Sequence, residues 1–170
     1  MNYKNLIRSI PDFPQEGILF RDITPLIQDP IAYKSSIKDM IGGIKDLEID
    51  AIAAVEARGY LFGAPMAVEL SVPFIPIRKL GKLPYETTSI EYQLEYGTAT
   101  LEMHIDSLTK GQNILLVDDL LATGGTLRAA ASLIEIAEGN VIGISVLIEL
   151  LELSGRELLE EYSVNTIIKY

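Results

Sequence analysis

The stretch that decides the fold reads Ile-Leu-Leu-Val-Asp-Asp-Leu-Leu-Ala-Thr-Gly-Gly-Thr, from residue 114 to residue 126. Its first four residues form a short apolar run that is typical of a buried strand. The run stops at two adjacent carboxylates, Asp118 and Asp119, and a loop of small residues then leads into a helix predicted over 125–137. This order of strand, loop and helix indicates an α/β fold with a ligand site beyond the carboxyl end of the strand.

Short apolar strands and helical patterns alternate on both sides of this segment. Helices are predicted over 30–47, 59–70 and 155–161, and strands over 51–55, 74–77, 141–148 and 164–168. Strands separated by helices indicate an α/β domain with a mostly parallel, twisted, Rossmann-like sheet flanked by helices.

One long segment, residues 79–96, shows neither pattern, and we predict a loop there. Its content of Gly, Pro, Thr and Ser favours this interpretation, and long loops in compact domains are often functional lids. The alternating residues that follow, from Leu101 to Ile105, predict a half-exposed strand.

Composition excludes several classes of function. The 170 residues fit one domain, and 24 acidic against 14 basic residues give a net charge of −10. That balance argues against nucleic acid or an anionic membrane as a partner, because both are bound through excess Lys and Arg. The chain has no cysteine, so thiolate catalysis and Cys-based metal sites are excluded. We find neither a signal peptide nor a membrane-spanning run, and we expect a cytoplasmic protein.

The loop after the two aspartates has the chemistry of a phosphate site. Its backbone amides can surround an anion at the positive end of the following helix, two glycines permit close approach, and two threonines add hydroxyl donors. These residues are Ala122, Thr123, Gly124, Gly125 and Thr126. Asp118 and Asp119 can accept hydrogen bonds from ribose hydroxyls and stabilise positive charge on the sugar. The alternative is a glycine-rich turn beside solvated acids.

Two other strand ends carry charged residues that could meet at the same edge of the sheet. The first is Glu56-Ala57-Arg58-Gly59, and the second is Arg78-Lys79, with Lys82 close behind. Cations grouped in an acidic chain suggest a polyanionic ligand. A surface ion pair for Arg58 and a solvated basic turn for the lysines are the alternatives.

Residues 117–126 resemble the phosphoribosyl pyrophosphate motif of type I phosphoribosyltransferases, in the form found in the adenine-specific members. The resemblance extends to 11–14, 17–26, 57–63, 77–84 and 94–97, and so covers nearly the whole chain. It implies a single phosphoribosyltransferase domain over 1–170. Within it, residues 1–29 would form a small N-terminal hood that helps to bind the base, and residues 79–96 a flexible flap.

The resemblance also implies an activity: transfer of the 5-phosphoribosyl group from phosphoribosyl pyrophosphate to adenine, giving AMP and pyrophosphate. It implies Mg²⁺ held mainly by the substrate, with no protein cage for the metal, and a homodimer. Two alternatives are a phosphoribosyltransferase for another purine and a regulator that senses phosphoribosyl pyrophosphate without catalysis.

The resemblance assigns roles to individual residues. Arg58 would grip the pyrophosphate in a loop with a cis peptide at Glu56–Ala57, and Glu95 would handle the purine proton. Adenine would lie near Leu19, Phe20 and Arg21. The catalytic set is Glu95, Asp118, Asp119 and Arg58. The phosphoribosyl pyrophosphate set is Arg58, Arg78, Lys79, Lys82, Asp118, Asp119, Ala122, Thr123, Gly124, Gly125 and Thr126.

Overall fold

The computed structural model describes residues 1–93 and 97–170. Its strands are β1 (Arg8–Pro11), β2 (Leu19–Asp22), β3 (Ala51–Val55), β4 (Phe74–Lys79), β5 (Thr87–Gln93), β6 (Thr98–His104), β7 (Asn113–Leu121), β8 (Asn140–Glu149) and β9 (Val164–Lys169). Its α-helices are α1 (Thr24–Gln28), α2 (Pro30–Gly42), α3 (Tyr60–Leu70) and α4 (Gly125–Ile136), and short 3₁₀ helices span Tyr3–Leu6, Leu151–Leu153 and Gly155–Leu159.

The predicted α/β fold with a mostly parallel sheet is confirmed. The main sheet has the order β5-β6-β4-β3-β7-β8-β9. Strands β4, β3, β7, β8 and β9 run parallel to their neighbours, whereas β6 and β5 form an antiparallel edge beside β4. Because parallel strands end at one edge of the sheet, the segments that follow β3, β4 and β7 meet there.

Both faces of the sheet are covered by apolar residues. Successive residues of β3 point to opposite faces, so Ala53 packs with Leu133 of α4 while Ile52 packs with Phe62 of α3 and Met40 of α2. All five residues of β3 are buried, which explains why this strand reads as a continuous apolar run. No helix in the described part of the chain is long and apolar enough to span a membrane.

The N-terminal segment forms a separate two-stranded hairpin, in which β1 and β2 pair antiparallel with Ile10 opposite Phe20. The connection between them contains a cis bond at Phe13–Pro14. The 3₁₀ helix before it is anchored by Tyr3, whose hydroxyl bonds Asp39 of α2 at 2.5 Å.

The prediction of a loop throughout 79–96 is wrong. Residues 87–93 form β5, which pairs antiparallel with β6 along its whole length. Thr88, Ile90 and Tyr92 are half-buried while Ser89 and Glu91 are exposed, and this alternation of period two is the signature of a strand. The Thr and Ser residues of this segment favour a loop in the sequence-based prediction, but Thr is β-branched and also favours strands. Residues 94–96 lie outside the described part of the chain.

Smaller differences concern element ends. Strand β7 does not stop at Asp118 but continues to Leu121, because it keeps pairing with β8 as far as Glu149. Glu102 of β6 is 3% exposed, so this strand is more buried than its alternating sequence predicts. Helix α2 ends at Gly42, and the helix predicted over 155–161 is a 3₁₀ helix.

Candidate active site

A cavity of about 440 Å³ opens beyond the carboxyl ends of β3 and β7. Four chain segments meet around it: the β3–α3 turn, the end of β4, the end of β7 with the loop into α4, and β5 with β6. The lining residues are Val55, Glu56, Ala57, Arg58, Lys79, Tyr92, Ala99, Leu101, Asp118, Asp119, Leu120, Leu121, Ala122, Thr123, Gly124, Gly125, Thr126 and Leu127. The cavity therefore lies where the sequence predicted a ligand site.

Residues 122–126, which we call the phosphate loop, all line this cavity. The loop turns at Gly124, which has a φ of +88° and is the N-cap of α4. A side chain there would be strained and would also overlap the carbonyl oxygen of Gly155. The positive end of a 12-residue helix therefore faces the cavity through a turn that requires glycine.

Asp118 and Asp119 lie next to each other near the end of β7, just before the phosphate loop. The backbone amide of Asp119 donates to Oδ1 of Asp118 at 2.8 Å, and the side chain of Asp119 is only 5% exposed. Burial, together with the negative charge of Asp119, raises the pKa of Asp118 well above its ordinary value. Burial also raises the pKa of Asp119, against the opposing effect of the Arg58 cation. Two neighbouring carboxylates that are partly shielded from water are suited to bind hydroxyl groups or positive charge.

Arg58 links the two aspartates to the N-terminal hairpin. Its Nε lies 2.9 Å from Oδ2 of Asp119, but the alignment does not meet that of a hydrogen bond, and this buried oxygen has no hydrogen-bond partner in the described part of the chain. The guanidinium carbon also lies 5.1 Å from the centre of the Phe20 ring. Arg58 is 35% exposed, so it remains accessible to an anion in the cavity. The cis peptide expected at Glu56–Ala57 is present.

The predicted cations at the end of β4 differ in position. Lys79 lines the cavity, whereas the Nε of Arg78 donates to Glu56 at 2.7 Å and its NH1 to the carbonyl of Lys82 at 2.8 Å. Burial acts to raise the pKa of Glu56, but hydrogen bonds from the Lys79 amide and the Arg78 side chain outweigh it and lower that pKa. Arg78 thus ties two site segments together, and the cavity lining includes neither Arg78 nor Lys82.

The residues predicted to bind the base lie on β2, beside the cavity and outside its lining. Leu19 is 47% exposed. The guanidinium of Arg21 stacks 3.8 Å from the ring centre of Tyr170 and donates to Ser9. The Phe20 ring lies against the guanidinium of Arg58, which lines the cavity. It also packs edge-on against Phe13, with the ring centres 5.1 Å apart. Glu95, the predicted proton-handling residue, lies outside the described residues.

Sequence reasoning assigned no role to several residues that build the site. Gly59 is needed because a Cβ there would lie 2.8 Å from Oδ1 of Asp118. Glu102 accepts hydrogen bonds from the amides of Lys82 and Leu83, at 3.0 Å each, and these bonds lower its pKa although burial acts to raise it. The hydroxyl of Tyr92 lies 3.4 Å from Oγ1 of Thr126. Only the alternation within 87–93 could have indicated Tyr92.

Comparisons with known proteins agree with one another on the family of this chain. The phosphoribosyl transferase domain family matches residues 27–169. The chain is similar to adenine phosphoribosyltransferase from Kosmotoga olearia, with 53% identity over 170 residues and full coverage of both chains. The crystal structure of adenine phosphoribosyltransferase from Thermoanaerobacter pseudethanolicus has a TM-score of 0.96 and 51% identity, covering 98% of this chain and 97% of the other.

A second solved structure, adenine phosphoribosyltransferase from Saccharomyces cerevisiae, was complexed with adenine and with an imino-altritol bisphosphate. It has a TM-score of 0.90 and 37% identity, covering 96% of this chain and 95% of the other. Since full-length relatives exceed half identity and the fold superimposes throughout, the chain belongs to the adenine phosphoribosyltransferase family.

Proposed function

We propose that the cavity transfers the 5-phosphoribosyl group from phosphoribosyl pyrophosphate to adenine, giving AMP and pyrophosphate. The observation that carries this proposal is the pair of adjacent carboxylates at Asp118 and Asp119, which line the cavity just before the phosphate loop; Asp119 is buried and Asp118 is half-buried. Such a loop alone would fit any phosphorylated ligand, but two neighbouring carboxylates beside it fit a sugar that becomes positively charged.

The two ends of phosphoribosyl pyrophosphate have separate partners in this proposal. The 5-phosphate lies in the phosphate loop, where amides and the hydroxyls of Thr123 and Thr126 surround it. The pyrophosphate lies against Arg58 and Lys79, which line the cavity at the carboxyl ends of the neighbouring strands β3 and β4. Arg78 acts through Glu56 by holding the two segments together, and Lys82 is placed beside the pyrophosphate as the flap closes.

The chemistry is a displacement at the anomeric carbon. The bond from this carbon to the pyrophosphate oxygen breaks, N9 of adenine forms the new bond, and N9 loses its proton. As the old bond lengthens, positive charge grows on the ribose ring, and the carboxylates of Asp118 and Asp119 stabilise it in a site of low dielectric constant. Holding both substrates in line removes much of the entropic barrier.

Asp118 and Asp119 supply two neighbouring carboxylates that would help to hold a magnesium ion, with the substrate supplying most of its ligands. Mg²⁺ commonly uses one or two carboxylates with phosphate oxygens and water. When bound, it would offset charge on the leaving pyrophosphate.

Recognition of adenine is assigned to the β2 segment. Phe20 stacks on the base, and backbone groups near Leu19 and Arg21 pair with its amino edge, which rejects a 6-oxopurine by leaving a buried group unpaired. The adenine bound in the yeast relative supports this choice of base. Glu95 would accept the N9 proton. The homodimer and the cytoplasmic location stay predictions.

The proposal is tested by release of pyrophosphate from phosphoribosyl pyrophosphate and magnesium, with adenine, hypoxanthine, guanine or xanthine as the acceptor. We expect turnover with adenine and at least about a hundredfold lower kcat/KM with the 6-oxopurines. Turnover with another base would contradict the specificity argument. Tight binding of phosphoribosyl pyrophosphate without turnover would instead favour a sensing regulator.

A further inference from the structure

The 3₁₀ turn Gly155–Leu159, which follows β8, contacts the phosphate loop through the backbone atoms of both segments. A Cβ on Gly124 would overlap the carbonyl oxygen of Gly155, and a Cβ on Gly155 would overlap the carbonyl oxygen of Ala122 and lie 3.0 Å from the amide nitrogen of Gly124. Because no side chain separates the two segments, the position of Gly155 limits where the phosphate loop can lie.

Gly155 is itself held by its neighbour, Arg156. The guanidinium of Arg156 binds both carboxylate oxygens of Glu149, donating through Nε to one and through NH2 to the other at 2.8 Å. It also donates to Oγ1 of Thr166 at 2.8 Å and to the carbonyl of Val164 at 3.0 Å. These bonds tie the 3₁₀ turn to the last residue of β8 and to the first half of the neighbouring strand, β9.

Glu149, the residue that binds Arg156, is itself held in place. The side chain of Glu149 is 4% exposed and also accepts from the hydroxyl of Thr166 at 2.9 Å. In the sheet, Glu149 is paired with Leu121, the last residue of β7 before the phosphate loop. A bidentate pair between a guanidinium and a carboxylate is directional as well as strong, so it fixes both the distance and the orientation of the turn.

We propose that Arg156 is a positioning residue for phosphoribosyl pyrophosphate: through Glu149 and Gly155 it holds the phosphate loop in its binding geometry. This inference rests on the proposed function. Arg156 does not line the cavity, and it acts only through the backbone contact of Gly155. Loss of its side chain lets the turn move away, after which the loop amides no longer converge on the 5-phosphate. Adenine is assigned to the β2 segment, which takes no part in the Gly155 contact, so we expect its binding to change less.

The test compares Arg156→Gln and Arg156→Lys with a matched control, Arg128→Gln. Arg128 has a similar exposure, 36% against 41%, and its side chain bonds Tyr162 and Glu161 and makes none of the bonds to Glu149, Thr166 and Val164. Its backbone amide, which donates to the carbonyl of Gly124, is kept in the variant. For each protein we would measure Tm, kcat, the KM of each substrate, and the Kd of phosphoribosyl pyrophosphate by calorimetry without adenine. In case Arg156→Gln does not fold, the double variant Arg156→Met with Glu149→Met removes the tether without leaving a buried carboxylate unpaired.

We expect Arg156→Gln, or the double variant, to raise the KM and Kd of phosphoribosyl pyrophosphate about tenfold and the KM of adenine less than about twofold. Arg156→Lys should recover part of the loss, because one ammonium group can replace only some of the bonds. The control should lower Tm alone. Wild-type affinity in the double variant, or an equal loss in Arg128→Gln, would overturn the inference. Failure of the wild type to use adenine would instead overturn the proposed function, and the calorimetric Kd would still test the loop.

Discussion

Asp118 and Asp119 occupy a position that favours chemistry over stability. Each carboxylate lies close to a like charge, Asp119 is buried and Asp118 is half-buried, and burial raises the pKa of both. Arg58 offsets part of this cost through its 2.9 Å approach to Asp119. A site that stabilises a sugar cation needs this unbalanced negative charge before the substrate arrives, so the cost in folding free energy is a consequence of the function.

The first prediction concerns Asp118→Asn. The amide keeps an oxygen to accept from the Asp119 backbone but removes a buried charge, so we expect the free energy of unfolding at pH 7 to rise by about 1 kcal/mol. We expect kcat to fall at least about a hundredfold, since charge stabilisation at the ribose is lost. Urea unfolding and steady-state kinetics measure both. The exposed Asp106→Asn serves as the control and should change neither. Lower stability in Asp118→Asn would contradict the account.

The second prediction uses two glycines with different surroundings. A Cβ on Gly59 would lie 2.6 Å from the carbonyl oxygen of Val55 and 2.8 Å from Oδ1 of Asp118, whereas a Cβ on Gly42 meets nothing within 4 Å. We therefore expect Gly59→Ala to lower the free energy of unfolding by about 1–3 kcal/mol and to impair turnover. Gly42→Ala should be neutral or slightly stabilising, because alanine favours a helix. Similar unfolding curves for the two variants would refute this difference.

Among the secondary-structure elements, β5 differs most from expectation and bears most directly on the site. It pairs with β6 on one side, and its Ile90 and Tyr92 pack against the core cluster that includes α4. Its end also reaches the phosphate loop, because Gly125 lies close enough for an added Cβ to sit 3.7 Å from the carbonyl of Gln93. The segment predicted as a flap therefore has a strand as its base, and that strand contacts the phosphate loop.

The third prediction tests this contact through Tyr92→Phe. Removing the hydroxyl that lies 3.4 Å from Thr126 should loosen β5 from the start of α4 and raise the KM of phosphoribosyl pyrophosphate about threefold. The KM of adenine should stay constant. Tyr85→Phe, at an exposed tyrosine that precedes β5, provides the control for steady-state kinetics. If both variants shift KM equally, the Tyr92 contact has no special role.

For the whole molecule, two groups of acidic residues make the free energy of unfolding depend on pH in opposite directions. Glu56, Glu102 and Glu149 have lowered pKa values, so the stability they contribute is present above their ordinary value of 4.5 and is lost as the pH falls through their folded values. Asp118 and Asp119 have raised pKa values, so their contribution is lost as the pH rises above 3.8.

The fourth prediction follows from these signs. As the pH falls from 7, the free energy of unfolding should first rise, because the folded state takes up a proton at the aspartate pair, and should then decrease below about pH 4.5, the ordinary value for Glu. Urea unfolding at a fixed protein concentration across this range measures the curve. Asp118→Asn should remove most of the initial rise, and Glu102→Gln should flatten the later decrease. An unchanged rise in Asp118→Asn would contradict the assignment.

The sequence alone was sufficient for the parallel core and for the residues at its strand ends. Apolar runs such as 51–55 and 114–117 fall on strands that are buried on both faces, and for such strands burial follows directly from composition. The contiguous segment from Asp118 to Thr126 carried the site chemistry, because its strand, loop and helix are local. Resemblance, rather than spacing, supplied adenine and the roles of Leu19 to Arg21.

Only the tertiary structure decided which of these residues meet. Local sequence does not encode that Gly155 supports the phosphate loop, that Glu149 anchors Arg156, or that Arg78 is held by Glu56, since these contacts join residues that are 7 to 33 positions apart. The same reason applies to β5: its alternating polar and apolar residues form a strand only because β6 supplies the hydrogen bonds. A hydrophobic pattern that belongs to one helix or strand can be read from the sequence. Contacts between elements depend on how the sheet brings distant segments together.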